Sequence, residues 1–161
     1  MFFTILPTDW FAVGIISVFL LPIVIIDLER FTIPNILVFP GITVLFGYFL
    51  LTGTNKMLPA LIHGVLAFSI ILLFWVFSKK QIGLGDAKLS FFLAAGLGFF
   101  EWWGVLLVAS FSAMVYGLLN VKSGRLTMKS KLPLAPFFGL GVGVIISLKS
   151  MLAIFFPSLF K

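Results

Sequence analysis

The sequence has no cysteine and a single histidine, His63. Disulfides, thiolate zinc sites and cysteine nucleophiles are thereby excluded, and one imidazole cannot build a histidine metal cluster. The zinc-peptidase signature H-E-x-x-H is missing as well. Charge is equally scarce: 10% of the 161 residues are Asp, Glu, Lys or Arg, while 61% are hydrophobic and 17% aromatic. So few polar side chains cannot cover a water-soluble globule of this size, which places the chain in a bilayer. Basic residues outnumber acidic ones by 11 to 5, giving +6. In a membrane protein that excess reports topology and contact with anionic lipid before it reports nucleic acid, and no basic-aromatic nucleic-acid motif is present. The opening residues MFFTILPTDW lack the Lys or Arg of a secretory signal, and no small-residue cleavage site follows the apolar run 11–26. That run therefore reads as a retained span.

Apolar stretches fall at 11–26, 36–51, 58–77, 87–100, 102–119 and 133–156, each near or somewhat below the ~20 residues that cross hydrocarbon as a helix. They predict an all-α, polytopic membrane protein of six spans forming one membrane-embedded domain over 1–161. The stretch 87–119 is far longer than one crossing needs, and Glu101 at its middle is costly in lipid. A tight hairpin at Glu101 removes both difficulties. The placement of Lys and Arg tests this choice independently. With six spans, the loops after spans one, three and five hold Arg30, Lys79, Lys80, Lys88, Lys122, Arg125, Lys129 and Lys131, against Lys56 and Lys161 on the other side. Merging spans four and five spreads the basic residues almost evenly. The positive-inside rule thus favours six spans with both termini outside, and with Trp10, Trp102 and Trp103 in an outer aromatic belt. The basic segment 120–132, NVKSGRLTMKSKL, suits contact with an anionic inner leaflet, and reads equally well as a solvated loop that fixes orientation.

The topology sorts the five carboxylates: Asp9 and Glu101 fall outside, Asp27, Glu29 and Asp86 inside. Asp27 closes span one in IVIIDLERFTIPN and Asp86 opens span four in GLGDAKL, so two acids 59 residues apart reach one depth on one side. Ionisable groups so placed are functional candidates. Facing aspartates in a desolvated site cannot both ionise, so one keeps its proton while the other stays a base. Such a pair can activate water against a peptide carbonyl without metal, cofactor or nucleophilic side chain. Gly83 and Gly85 lack a Cβ, which permits close approach and strained angles beside the carboxylate where an extended substrate lies. Plainer readings stay open: GLGD as a glycine turn with Asp86 as N-cap, and Asp27 as an interfacial carboxylate neutralised by Arg30. A small transporter or channel subunit with two intramembrane acids as ion sites also fits these charges, as does an inactive assembly partner in a secretion machine.

DLERFTIPN from Asp27 to Asn35, GLGDAKL from Gly83 to Leu89, and KLPLAPFFGLG from Lys131 to Gly141, in that order and spacing, resemble the type IV prepilin peptidases. These are GxGD aspartic membrane proteases and include the preflagellin peptidases. The resemblance runs over nearly the whole chain and implies Asp27 and Asp86 as the catalytic pair. It also implies that Lys88 completes the motif, as a snorkelling anchor, and that Pro133 and Pro136 lie near the active site. The implied activity is removal of a short basic leader from prepilin, pseudopilin or preflagellin subunits, after glycine and just before their hydrophobic helix, at the cytoplasmic face of the inner membrane. Many members also methylate the new N-terminus, using an extra cytoplasmic segment that often carries paired cysteines. With no cysteine and no room for that segment, this chain resembles the peptidase-only form. Presenilin-like proteases share GxGD and a proline-rich motif, but the IPN that follows span one favours the prepilin branch.

The remaining polar and special residues have structural explanations. Pro34 sets the exit from the Asp27 loop, its ring fixing its own φ and biasing Ile33 towards extended geometry. Glu29 pairs with Arg30 or a loop lysine more cheaply than it attracts a basic leader. His63 reads as an interhelical hydrogen bond sooner than as a proton relay. Pro133 and Pro136 break or kink the start of span six. The runs AAGLG (94–98) and GLGVGV (139–144) allow close helix approach.

Overall fold

A computed structural model of the chain describes residues 9–78, 83–124 and 132–155. Its helices are α1 (Trp10–Arg30), α2 (Asn35–Thr52), a short 3-10 turn (Thr54–Lys56), α3 (Met57–Phe77), α4 (Leu84–Leu97), α5 (Phe99–Lys122) and α6 (Ala135–Phe155). No strand occurs among the described residues. The described parts of the apolar runs are helical except at Gly98 and at residues 133–134, and most helices extend past the runs into polar flanks. Among the described residues five helices, all except α4, are long and apolar enough to cross a membrane, and each carries several exposed Phe, Leu, Ile or Val side chains. Such surfaces would be untenable in water and are satisfied by hydrocarbon. Pro22 and Pro40 sit inside α1 and α2, as membrane helices tolerate.

α4 is the exception that organises the rest. It has 14 residues, a rise of ~21 Å, and it buries Asp86, Ala87, Leu89, Ser90, Phe92, Leu93, Ala94 and Ala95. It packs most extensively on α3 and also meets α1, α2 and α5. Small residues on its neighbours and on itself make room. A Cβ on Gly41 would stand 3.1 Å from the Phe92 ring, one on Gly64 2.9 Å from Phe91, and one on Gly96 2.5 Å from Ile16 Cδ1. α5 and α6 form a second tight pair, in which a Cβ on Gly141 would come within 2.6 Å of the Val105 carbonyl oxygen. The glycine-rich runs therefore do serve close packing.

Two expectations need correction. The turn between α4 and α5 falls at Gly98, not at Glu101. Gly98 has φ +104, a conformation glycine adopts freely and other residues resist, and Glu101 lies in the first turn of α5, where a carboxylate suits the helix dipole. Trp102 does not face outward as an interfacial tryptophan would: Trp10 and Trp103 are 60% and 40% exposed, whereas Trp102 is fully buried. It shares the inward face of α5 with Val105 and Ala109, at helical spacing. Lys79, Lys80, residues 125–131 of the expected lipid-contacting segment, Lys161 and the N-terminal 1–8 lie outside the described residues.

The end of the bundle where α1 begins and α4 ends is held by two ion pairs. Lys56 Nζ contacts Asp9 Oδ2 at 3.0 Å and Lys149 Nζ contacts Glu101 Oε1 at 2.7 Å. Asp9 also accepts from the Tyr48 hydroxyl at 2.9 Å and caps α1 through the Ala12 N–H. Burial alone would raise its carboxyl, but Lys56, Tyr48 and Ala12 together hold it below the usual value. These pairs border a cleft of about 350 Å³ above the short α4, which His63 also lines. The Glu101–Lys149 pair is largely buried, with side chains 20% and 11% exposed. Lys149→Met is therefore expected to destabilise the protein by about 3 kcal/mol, and adding Glu101→Gln to recover most of the loss. Thermal unfolding in detergent reads both.

Candidate active site

The opposite end gathers the C-terminal turn of α1, the start of α2 and the starts of α4 and α6. α1 closes with Phe31 in the left-handed region (φ 53, ψ 35), its N–H donating to the Asp27 carbonyl at 2.9 Å, a helix-ending arrangement usually given to glycine. One turn before this end, the Asp27 side chain points inward and is 4% exposed. Its Oδ2 accepts the Ala135 N–H at 2.9 Å. Ala135 opens α6, so this N–H is one of the donors a helix cannot satisfy internally. Asp27 caps a helix 108 residues away, and the dipole of α6 favours its charge. Arg30 makes no ion pair with Asp27 among the described residues, so neutralisation by Arg30 is not what holds it.

Asp86 is the third residue of α4, behind the N-cap Gly83. Its Oδ2 turns back to accept the Gly83 N–H at 3.2 Å, and it is 7% exposed. This is half of a capping box, Gly83 having no side chain to complete it, and Asp86 is not itself the N-cap. The two carboxyls lie within electrostatic reach of each other. No group of three or more His, Asp or Glu that could hold a metal ion occurs among the described residues.

The supporting motifs converge here. Gly83 and Gly85 have no positive φ, so the strained angles expected of them are not used. Close approach is: a Cβ on Gly85 would lie 2.8 Å from Ile33 Cβ, which seats the α1–α2 loop on α4. Pro34 is the N-cap of α2 with φ −75 and ψ 122, and shapes the loop as expected. Lys88 is no simple snorkelling anchor. Its Nζ donates to Asn35 Oδ1 at 2.9 Å and stands 5.4 Å from the Phe39 ring centroid, tying α4 to the start of α2. Pro136 falls in the first turn of α6, where its missing N–H has no intrahelical partner to disappoint, and Pro133 precedes the helix. Glu29 is exposed, and His63 lines the cleft at the other end of the bundle, away from this site.

Sequence reasoning passed over two residues. Asn35 was visible only as the last letter of IPN. Ser90 is fully buried, its hydroxyl has no partner among the described residues, and it follows Asp86 by four, on the same helix face. A polar residue at that spacing inside an apolar run was the signal available.

The Gly85–Ile33 contact makes a sharp test. Gly85→Ala should overpack the loop and cost about 1–3 kcal/mol. Ile33→Ala should not rescue it, because alanine keeps the offending Cβ, whereas Ile33→Gly should. Thermal unfolding of the double variants separates the two outcomes.

No curated protein and no solved structure matches the chain. A family model described as the type IV leader peptidase family matches residues 14–118, well over half of the chain, including Asp27 and Asp86. A chain whose helices bring these segments together at one end of a membrane bundle is thereby placed: it belongs to the type IV leader peptidase family.

Proposed function

We propose that the protein is an aspartic endopeptidase of the inner membrane that removes the short basic leader from prepilin-like or preflagellin-like subunits, with Asp27 and Asp86 as its catalytic pair. The observation that carries this reading is that two buried carboxyls from different helices lie within electrostatic reach at one end of the bundle. Family membership supplies the substrate class, a prepilin-like protein. The whole chain acts as one membrane-embedded domain of six spans, with α4 as the fourth. Enclosed by its neighbours, α4 does not have to match the ~30 Å hydrocarbon core on its own. The bias of Lys and Arg puts the aspartates near the cytoplasmic face and both termini outside.

The reaction follows from the unequal surroundings of the two acids. Asp27, holding the shorter bond from Ala135 at the start of α6, is the partner that carries the charge and takes a proton from the attacking water. Asp86 carries the proton, donates it to the scissile carbonyl oxygen as the tetrahedral intermediate forms, and so becomes the charged member. On collapse the C–N bond breaks, Asp27 passes its proton to the departing amine, and one hydroxyl of the intermediate gives its proton to Asp86 as the new carboxyl forms, so the pair again holds one proton. Like charges in one site share that proton, so the apparent titrations belong to the pair.

Asp27→Asn and Asp86→Asn are each expected to lower leader cleavage by at least about 10³-fold, with unchanged helicity. Purified enzyme in detergent, a prepilin substrate and N-terminal sequencing of the product supply the measurement. Either Asn variant cutting at the native rate would overturn the assignment. Activity needs one proton on the pair. It should fall on the acid side as both carboxyls protonate and on the alkaline side as both ionise, and a pH-independent kcat/KM contradicts the dyad.

A further inference from the structure

We propose that the trough between α2 and α3, floored by α4, is a specificity pocket for a large apolar side chain of the substrate's membrane segment, a few residues past the bond that is cut. This rests on the leader-peptidase reading above. α2 and α3 barely touch each other, while both pack on α4. The opening between them is a cavity of about 460 Å³ lined by Phe39 and Ile42 of α2, Val65 and Phe68 of α3, and Lys88 and Phe91 of α4. Each helix contributes two residues three apart, so the walls are one turn deep. Every lining side chain except Lys88 is apolar, and the Lys88 ammonium is engaged by Asn35. The floor is held in place: the Phe91 ring stacks on Phe46 with centroids 6.3 Å apart, and Gly64 leaves no space between that ring and α3.

Depth identifies the occupant. Along α4, Lys88 and Phe91 lie two and five residues beyond Asp86, ~3 Å and ~7.5 Å further from the site end. A substrate whose scissile bond lies at Asp86, and whose following residues enter the bilayer, lays those residues along this stretch of α4. The gap between α2 and α3 admits them sideways from hydrocarbon. A basic leader gains nothing in such an apolar trough and stays on the Asp86 side.

The test compares two substrates, a prepilin carrying its apolar segment and a short soluble peptide covering only the leader and the bond. Ile42→Trp or Val65→Trp fills the trough. The kcat/KM for the prepilin should then fall about tenfold relative to that for the peptide, the scale of one lost buried apolar side chain. Leu107→Trp, on the exposed face of α5, should leave the ratio alone. An unchanged ratio in the filled variants overturns the pocket and leaves the leader-peptidase reading intact. Wild-type protein that cuts neither substrate overturns that reading and the pocket with it. A photo-crosslinking residue at Val65 in Asp86→Asn protein gives a check that does not depend on turnover: adducts to the prepilin's apolar segment support the pocket, and adducts to lipid alone overturn it.

Discussion

The rest of the site depends on one hydrogen bond, from the Ala135 N–H to the Asp27 carboxylate. A buried carboxylate needs donors, and the first turn of a helix needs acceptors. Each meets the other's need, and the next residue, Pro136, has no N–H to offer in its place. The bond therefore fixes where α6 starts relative to the end of α1. With α6 so placed, the segment 132–141, LPLAPFFGLG, stands beside DLERFTIPN. The Gly85–Ile33 contact and the Lys88–Asn35 bond then bring GLGDAKL against the same loop.

α4 could not occupy its central position if it were an ordinary membrane helix. Beside Leu89, Leu93 and Phe92, its buried residues include the small Ala87, Ser90, Ala94 and Ala95, and its neighbours offer glycines to its rings. The helix thus sits deep enough to bury its first-turn aspartate without lipid contact. Its shortness has a consequence at the other end, where the space it does not fill becomes the cleft bordered by Asp9–Lys56 and Glu101–Lys149. Polar groups are thereby concentrated at the two ends of the bundle, where desolvation is least severe, and the middle is left to apolar packing.

Much of this was legible. Long apolar runs with basic flanks announce membrane helices, and the two aspartates stand out because so few charges exist. Boundaries were less legible because charged residues are good helix formers at helix ends: α1 runs on to Arg30, and Glu101 marked a turn that Gly98 actually makes. Trp102 was misread by residue type, although its spacing from Val105 and Ala109 held the right answer. Asn35 as the partner of Lys88, 53 residues away, is a tertiary fact with no local signal. Phe31 in the left-handed region is the least readable of all, since a bulky residue stands where the chain's geometry would favour glycine. The Asp27–Ala135 bond escapes sequence reading for a different reason: its donor is backbone, which residue types do not encode.

The two carboxyls are built into the fold by backbone donors. Asp27 accepts from the backbone of Ala135, through Oδ2, and of Leu134, and Asp86 accepts from Gly83 through Oδ2. Each side chain is thus oriented by backbone at a helix start. These N–H groups favour negative charge, while burial and the neighbouring acid oppose it. A lone aspartate at a helix start would simply stay ionised, and a buried pair without such donors would simply stay protonated. In the proposed dyad, two helix starts set against mutual repulsion would hold the pair between these limits, with one proton to share.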